Sequence, residues 1–572
     1  MKSSTFFRNT FLFFVFVGWA ALQGFAQPGF TWAKQLGGSS EEACTSVATD
    51  DRGHVYAAGY FTGVADLDPG PGSYVFTSVN ACDAYIAKLD TGGNLVWARQ
   101  LGNNRSPDVA NSVAVDKTGN VYITGRFSDT ADMDPGPGVF NLVAAGCWDI
   151  FVLRLDAFGN LIWARQMGGS LWDEGNAITV DPAGNIYIAG SFLSTVDFDP
   201  GSGIVNLTSA GSEDAFICKL SASGSLVWAA QLGGSSGEQA NSLALDAAGN
   251  VYSCGFFRGI ADFDPGNGIY TLSAAGGASD IFISKLDGAG NFSWARQIGG
   301  ASCEEARAIA VDGPGNVYTT GSFYGTVDFD PGAGSYLLNA TSTAWHAAAF
   351  VSKLDASGSF VWARKFGDAE MASGHGIGVD HSGNVYTTGK FFGTTDFDPG
   401  TGSFYLSPTG NNGTESAYIS RLDAAGNFNW AQALGSVSAG LTLALDNWST
   451  VYTAGYFMHN VDFDPGSGIY MLSAAGSLDA YVHKVSQAQY LSADEHAPGR
   501  SFFIGPNPSS GEITIRGVVL PMHIEVYSAS GERAGVYRSD EDIYRLTLPR
   551  GIWLLRIYGR DGASRTEKVV MQ

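Results

Sequence analysis

The chain has 572 residues, 45% hydrophobic and 13% aromatic, with only 15% charged residues and 76 glycines, which excludes a disordered polyelectrolyte and marks a globular, β-rich protein. Acids outnumber bases 55 to 32; setting aside the two bases of residues 1–26 and the ten bases and eight acids of residues 500–572 leaves 47 acids against 20 bases between 27 and 499. A field of that sign repels phosphate backbones, so nucleic acid is excluded as a partner, whereas cations and basic surfaces suit it.

Residues 1–26 read as an export signal. Lys2 and Arg8 precede an apolar run from Phe11 to Leu22, and Gly24-Phe-Ala26 offers small residues before a cut at Gln27. The run is too short and wrongly flanked for a spanning helix, and nothing later could cross a membrane as one, so no transmembrane segment is expected in the mature chain. The six cysteines (Cys44, Cys82, Cys147, Cys218, Cys254 and Cys303) show no paired spacing and read as small buried hydrophobes.

From residue 30 onward one pattern is written seven times. Its marker tryptophans are Trp32, Trp97, Trp163, Trp228, Trp294, Trp362 and Trp430, spaced 65 to 68 residues apart, and a fixed period of this length points to a repeat architecture. Each unit contains four predicted strands. A tryptophan strand (Leu95-Val-Trp97-Ala-Arg-Gln-Leu101) is followed by a Gly-rich connection and a Val-Asp strand (Ser112-Val-Ala-Val-Asp116). An Asp-x-x-Gly-Asn turn then leads to a Val-Tyr strand carrying Gly-x-Phe, such as Tyr122 with Phe127. After an irregular segment comes a Lys-Leu strand (Asp83-Ala-Tyr-Ile-Ala-Lys-Leu89), then a second Asp-x-x-Gly-Asn turn. No window sustains a 3.6-residue period, so no helix is expected.

Units of four strands, apolar on both faces, must stack on neighbours, and this length suits propeller blades. The ends agree with that. The first tryptophan strand, Thr31 to Gln35, has no Lys-Leu strand before it, and the last Lys-Leu strand, Ala480 to Val485, has no tryptophan strand after it. Pairing the two removes both open edges. The expected fold is therefore all-β: a seven-bladed β-propeller over 27–486, closed by the N-terminal strand, then a linker at 487–500 and a small C-terminal β-sandwich over 501–572. Both kinds of Asp-x-x-Gly-Asn turn fall at one end of the strands. The Gly-rich connections and the long segments after the Val-Tyr strands fall at the other. Short apolar runs in those segments (Ile269 to Leu272, Ile469 to Leu472) leave a fifth, peripheral strand open.

The Ala-Val-Asp, Gly-Asn-Val-Tyr and Asp-Ala-Phe-Ile-x-Lys-Leu-Asp pattern resembles the bacterial SBBP β-propeller repeat family across residues 30–486. That resemblance is specific for fold and nearly silent on activity. The tail reads Pro506-Asn507-Pro508-Ser-Ser-Gly511, Ile524-Glu-Val-Tyr527, Gly551-Ile-Trp-Leu-Leu-Arg-Ile557 and Lys568-Val-Val. It resembles the type A C-terminal sorting domain of type IX secretion, with Gly505 departing from the aromatic residue common before Pro-Asn-Pro. The resemblance implies the type IX machinery as a partner of residues 501–572, and a secreted or outer cell-surface location.

Asp-x-Asp-Pro-Gly recurs in every unit and supplies the candidate metal ligands: Asp66 and Asp68, Asp132 and Asp134, Asp197 and Asp199, Asp262 and Asp264, Asp328 and Asp330, Asp396 and Asp398, and Asp462 and Asp464. Paired carboxylates with loop carbonyls suit Ca²⁺; alternatively, the aspartates cap loop amides around a Pro-Gly turn. No catalytic constellation is present, since Gly233-Gly-Ser235-Ser-Gly237 lacks the helix and nearby histidine that a nucleophile elbow requires. Positions that change from unit to unit are the better ligand candidates. One is the residue between Gly and Phe: Tyr60, Arg126, Ser191, Phe256, Ser322, Lys390 and Tyr456. The reading is a non-enzymatic binding scaffold for an extracellular glycan or protein. The alternatives are a polysaccharide-active hydrolase or lyase and a structural surface-layer protein.

Overall fold

The computed structural model describes residues 27–486, apart from 103–105, 341–345, 368–370, 409–413 and 448, together with the strands of the tail between 502 and 571. The expected export signal, the linker at 487–500 and the Pro506-Asn507-Pro508 segment lie outside the described residues. The chain divides into two compact units, Met1–Ala488 and Gln489–Gln572. Every regular element among the described residues is a β-strand.

In the first unit the four strands of a repeat pair in chain order. Glu42–Thr49 pairs antiparallel with Val55–Asp66, that with Val75–Leu89, and that with Leu95–Leu101. The last repeat supplies only Ser438–Leu445, Val451–Phe457 and Asp479–Ser486. Its fourth strand is Gly29–Gly38, which pairs antiparallel with Asp479–Ser486 from Gly29↔Ser486 to Leu36↔Ala480. Each Val-Asp strand touches that of the next repeat, and Ser438–Leu445 touches Glu42–Thr49. Side chains bond across that last contact too, the Val47 N–H donating to Thr442 Oγ1 (3.3 Å) and Thr49 Oγ1 to the Leu445 carbonyl (3.2 Å).

The recurring motifs have local causes. In the turn after the first Val-Asp strand, Asp50 Oδ1 accepts the N–H groups of Arg52 and His54, and Gly53 takes the positive φ of 79° that the turn demands. The tyrosine six residues after the aspartate donates its hydroxyl back to it. The distances are 3.2 Å for Tyr56 to Asp50, 3.1 Å for Tyr122 to Asp116 and 3.0 Å for Tyr318 to Asp312. That bond explains the fixed spacing of Asp and Val-Tyr. Each marker tryptophan from Trp32 to Trp362 donates its indole N–H to a hairpin carbonyl about sixty residues on, as Trp97 does to Ala157 (3.1 Å). The arginine two positions later clips the same hairpin, Arg99 Nε to the Gly159 carbonyl at 2.8 Å. Trp97 also meets the Tyr56 ring edge-on at 6.3 Å. The core therefore lies between neighbouring repeats; one cluster holds Tyr56 and Trp97 together with Val121 and Phe151 of the following unit.

Two points go beyond the sequence or correct it. The long segments form an outer two-stranded ribbon, as in Thr195–Asp197 with Asn206–Thr208, whose first strand pairs with the glycines ending the preceding tryptophan strand (Gly168↔Asp197). The fifth-strand question is thus answered by a ribbon that bridges one repeat to the next. The cysteines are all free, but only Cys44, Cys218 and Cys254 are buried; Cys82 is half-buried, and Cys147 and Cys303 are exposed. Those three sit in or beside loops of the connection end, outside the apolar layers. In the second unit, Glu512–Gly517 lies between Phe502–Gly505 and Ile543–Thr547. A second sheet runs Arg533–Ser539, Met522–Ser528, Gly551–Tyr558, Ser564–Met571.

Candidate functional site

The Asp-x-Asp-Pro-Gly loops close the outer ribbons, and their geometry is the same in all seven. The first aspartate accepts two backbone N–H groups through Oδ1: for Asp66 these come from Asp68 (3.0 Å) and Tyr74 (2.7 Å), for Asp462 from Asp464 (3.0 Å) and Tyr470 (2.8 Å). Asp132, Asp197, Asp262, Asp328 and Asp396 repeat the pattern. The second aspartate accepts the N–H of the motif glycine, from Asp68 with Gly70 to Asp134, Asp199, Asp264, Asp330, Asp398 and Asp464 with theirs. A further glycine two residues on is required, because a Cβ at Gly72 would overlap Asp68 Oδ2. These bonds hold Asp66 and Asp328 below the ordinary carboxylate range despite the opposing effect of burial. Among the described residues no three His, Cys, Asp or Glu side chains come together as a metal site.

The unit-specific positions converge at the connection end of the Val-Asp strands. Every one of those strands carries a bulge one residue long, at Thr45, Asn111, Asn176, Asn241, Arg307, His375 and Leu441. The bulged asparagines reach the next repeat. Asn111 donates to the Gly175 carbonyl (3.0 Å), Asn176 to that of Ala240 (3.1 Å) and Asn241 to that of Ala306 (2.9 Å). A recurring Asn before Ser or Ala was the only sequence signal for this device. A bulge is a matter of backbone register, which composition does not announce.

Around these bulges Arg126 and Tyr456 of the Gly-x-Phe series bond across repeats, and Lys390 bonds within its own. Tyr60, Arg126, Phe256, Lys390 and Tyr456 are half-buried, and Ser191 and Ser322 are buried. Arg126 Nη1 bonds Glu174 Oε1 at 2.6 Å, and Asn111 donates to the same oxygen at 2.8 Å. Lys390 Nζ bonds Glu415 Oε2 at 3.0 Å, and the Tyr456 hydroxyl donates to Glu415 Oε1 at 3.0 Å. Burial, and then Glu415, push the Tyr456 hydroxyl well above the ordinary tyrosine range. His375 Nε2 lies 3.1 Å from Arg307 Nη1 and 2.9 Å from Ser373 Oγ. Burial followed by the charges of Arg307 and Lys390 keeps its proton affinity low.

One sector departs furthest from the repeat. The Arg126 guanidinium stacks 4.2 Å from the Trp148 ring centroid. Trp148 lies beside Trp172, with centroids 6.3 Å apart and ring planes at 39°. The backbone fixes the pair: the Trp148 N–H donates to the Leu171 carbonyl (3.2 Å) and the Asp173 N–H to the Trp148 carbonyl (2.9 Å). Trp172 is 58% exposed, and Leu171 beside it 39%. Neither tryptophan belongs to the marker series, so subtracting the repeat from the sequence would have found them.

The β-propeller repeat family SBBP matches residues 96–126 and 162–191. An uncharacterized WD repeat-containing protein of Acanthamoeba polyphaga mimivirus is 25% identical over 510 residues, 74% of this chain and 36% of its own length. The chain thus spans little more than a third of that relative. Among solved structures, a Bacteroides caccae protein of unknown function aligns with a TM-score of 0.28 at 11% identity, covering 61% of this chain and 89% of that one. PorZ, a surface component of the type IX secretion system of Porphyromonas gingivalis, aligns with a TM-score of 0.17 at 12% identity, covering 94% of this chain and 100% of its own.

Proposed function

We propose that this protein is an exported, non-enzymatic binding scaffold. In this reading its seven repeats close into a seven-bladed propeller completed by Gly29–Gly38, and residues 501–572 carry it through a type IX route to the outer surface. The pairing of Gly29–Gly38 with Asp479–Ser486 and the contacts running through all seven Val-Asp strands support closure. Calcium at the Asp-x-Asp loops belongs to the proposal as a counter-ion for the acidic connection end, apart from the ligand site.

The observation that carries the binding role is the platform of Trp172, Trp148, Arg126 and Glu174. An otherwise repeated surface here exposes a large indole, flanked by paired charges held in fixed geometry. Trp and Arg dominate binding hot spots because they bring large, rigid contact area together with polar anchoring. An extracellular glycan is the favoured ligand, its apolar ring face laid on Trp172 with Glu174 and Asn111 beside it for the hydroxyls. A glycan array screened with residues 27–486 should give a selective signal, and Trp172→Ala should weaken it by about tenfold or more. A signal indifferent to Trp172→Ala would overturn the site, and turnover of the glycan would favour the hydrolase or lyase reading.

The export reading has its own test. A chain ending at residue 500 should still fold its repeats and accumulate in the periplasm, because the tail is a separate compact unit. Normal surface delivery of that shortened chain would refute the sorting role.

A further inference from the structure

Where a Lys-Leu strand meets the next repeat's Val-Asp strand, four of the junctions bring two acids together: Asp149 with Asp173, Asp214 with Glu238, Asp280 with Glu304, and Asp479 with Glu42. A backbone bond sets each pair side by side. The N–H of the second acid donates to the carbonyl of the residue just before the first, as from Glu304 to Ser279 (2.8 Å), Asp173 to Trp148 (2.9 Å) and Glu42 to Leu478 (3.0 Å). All eight side chains are buried, 0% exposed. Two further junctions change as whole units. One holds Ala348 and Ala372, the other Ser416 and Ser438.

A third residue changes with the pair. Glutamines Gln35, Gln166, Gln231 and Gln297 each donate an amide N–H to the first acid, as from Gln297 to Asp280 Oδ2 at 2.6 Å. At the Ala–Ala junction that position is Lys365, which bonds the Asn339 carbonyl instead, and at the Ser–Ser junction it is Ala433. The second acid accepts a glycine N–H, from Gly38 to Glu42 (2.9 Å), Gly169 to Asp173 (2.7 Å), Gly234 to Glu238 (2.8 Å) and Gly300 to Glu304 (3.0 Å). Backbone N–H groups occupy both oxygens of Asp173, Asp214 and Asp479, yet in every pair at least one carboxyl oxygen is left over. Glu42 Oε1, Glu238 Oε1, Glu304 Oε1, Asp149 Oδ1 and Asp280 Oδ1 are buried without a hydrogen-bond partner, and Asp280 and Glu304 contribute both of theirs from one pair.

The charged groups bearing on these acids are themselves acidic: Asp479 and Glu41 on Glu42, Asp149 on Asp173, Asp214 and Glu213 on Glu238, and Asp280 on Glu304. Two buried carboxylates facing one another with no cation between them cannot both be ionised at modest cost. We propose that each of these four junctions holds a single proton shared between its two carboxyl groups, a carboxyl–carboxylate bond that clamps one repeat to the next and opens as pH rises. Burial, with the neighbouring aspartate adding to it, raises Glu42 and Glu304 to about 8 and Asp173 and Glu238 to about 7. Burial likewise raises Asp149, Asp214, Asp280 and Asp479. Folded carboxyls that keep their protons above the unfolded range give stability that is full in acid and is lost as pH climbs through the folded values.

Infrared spectra of the intact chain at neutral pH should therefore retain a protonated-carboxyl stretch, and the melting temperature should fall from about pH 4, the unfolded carboxyl value, to about pH 8, and level off above it. Glu304→Gln keeps the shape and donates a permanent N–H to Asp280, so it should remove roughly a quarter of that fall. Should that variant misfold, Asp280→Ala with Glu304→Ala copies the natural Ala348–Ala372 junction and should have the same effect. Each melt is repeated with calcium and with chelator. A melting temperature flat over this range, or a spectrum without protonated carboxyl at neutral pH, overturns the proposal. So does an alkaline fall that calcium abolishes, because a metal ion would then occupy the junction.

Discussion

Deleting residues 27–38 is expected to abolish cooperative melting of the repeat region and to cause aggregation. The segment is short, but its contacts are with the far end of the chain. Trp32 and Leu36 are buried, 7% and 0% exposed, in a cluster with Tyr452, Ala480 and Val482. Burial of two such side chains is worth roughly 1.5–3 kcal/mol each, against a total stability of about 5–15 kcal/mol for a typical domain. Gln35 also donates to the Ser473 carbonyl (2.9 Å), and Gly37 and Gly38 pair with Asp66 and Ala65. Without the segment, Asp479–Ser486 becomes an open apolar edge carrying Tyr481 and Val485, both 0% exposed in the intact chain. Differential scanning calorimetry and light scattering read both effects, and a truncated chain that melts like its parent would refute them.

The second large effect falls on a glycine. Each Gly-x-Phe glycine faces the carbonyl just ahead of the bulge, so that a Cβ at Gly321 would overlap the Glu305 carbonyl and one at Gly190 that of Glu174. The obstacle is backbone on both sides and cannot swing away. Gly321→Ala should therefore cost about 1–3 kcal/mol, measured as the shift in denaturant midpoint. Gly313→Ala, where nothing lies within 4 Å of the added carbon, serves as the control. It should stay within about 0.5 kcal/mol of the parent. Equal shifts for the two would mean that the bulge does not confine the strand.

What the sequence disclosed and what it withheld follow from how each feature is encoded. Strand order, turn positions and the packing role of the marker tryptophans were legible because each is local and written seven times. The Asp-x-Asp-Pro-Gly loops were legible as acidic turns, and the role of Gly72 and its equivalents emerged only from the closeness of the Asp68 carboxylate. Acids such as Asp280 and Glu304 belong to different repeats and meet only when the two dock, so neither neighbourhood in the sequence announces the other. Trp148 and Trp172 were hidden for the opposite reason: they occur once, outside the pattern that repeats. Burial of the cysteines fails at Cys82, Cys147 and Cys303, because residue type carries no information about their place at the connection end.

The central claim is that Gly29–Gly38 completes the final repeat. Hydrogen exchange of the intact chain, followed by mass spectrometry of the peptide spanning residues 29–38, tests it most directly. Amides from Trp32 to Leu36, paired with Ala480 to Lys484, should exchange as slowly as those of the internal tryptophan strand Leu161–Gly169. Exchange at the rate of an unstructured peptide, while Leu161–Gly169 stays protected, would contradict the closed ring.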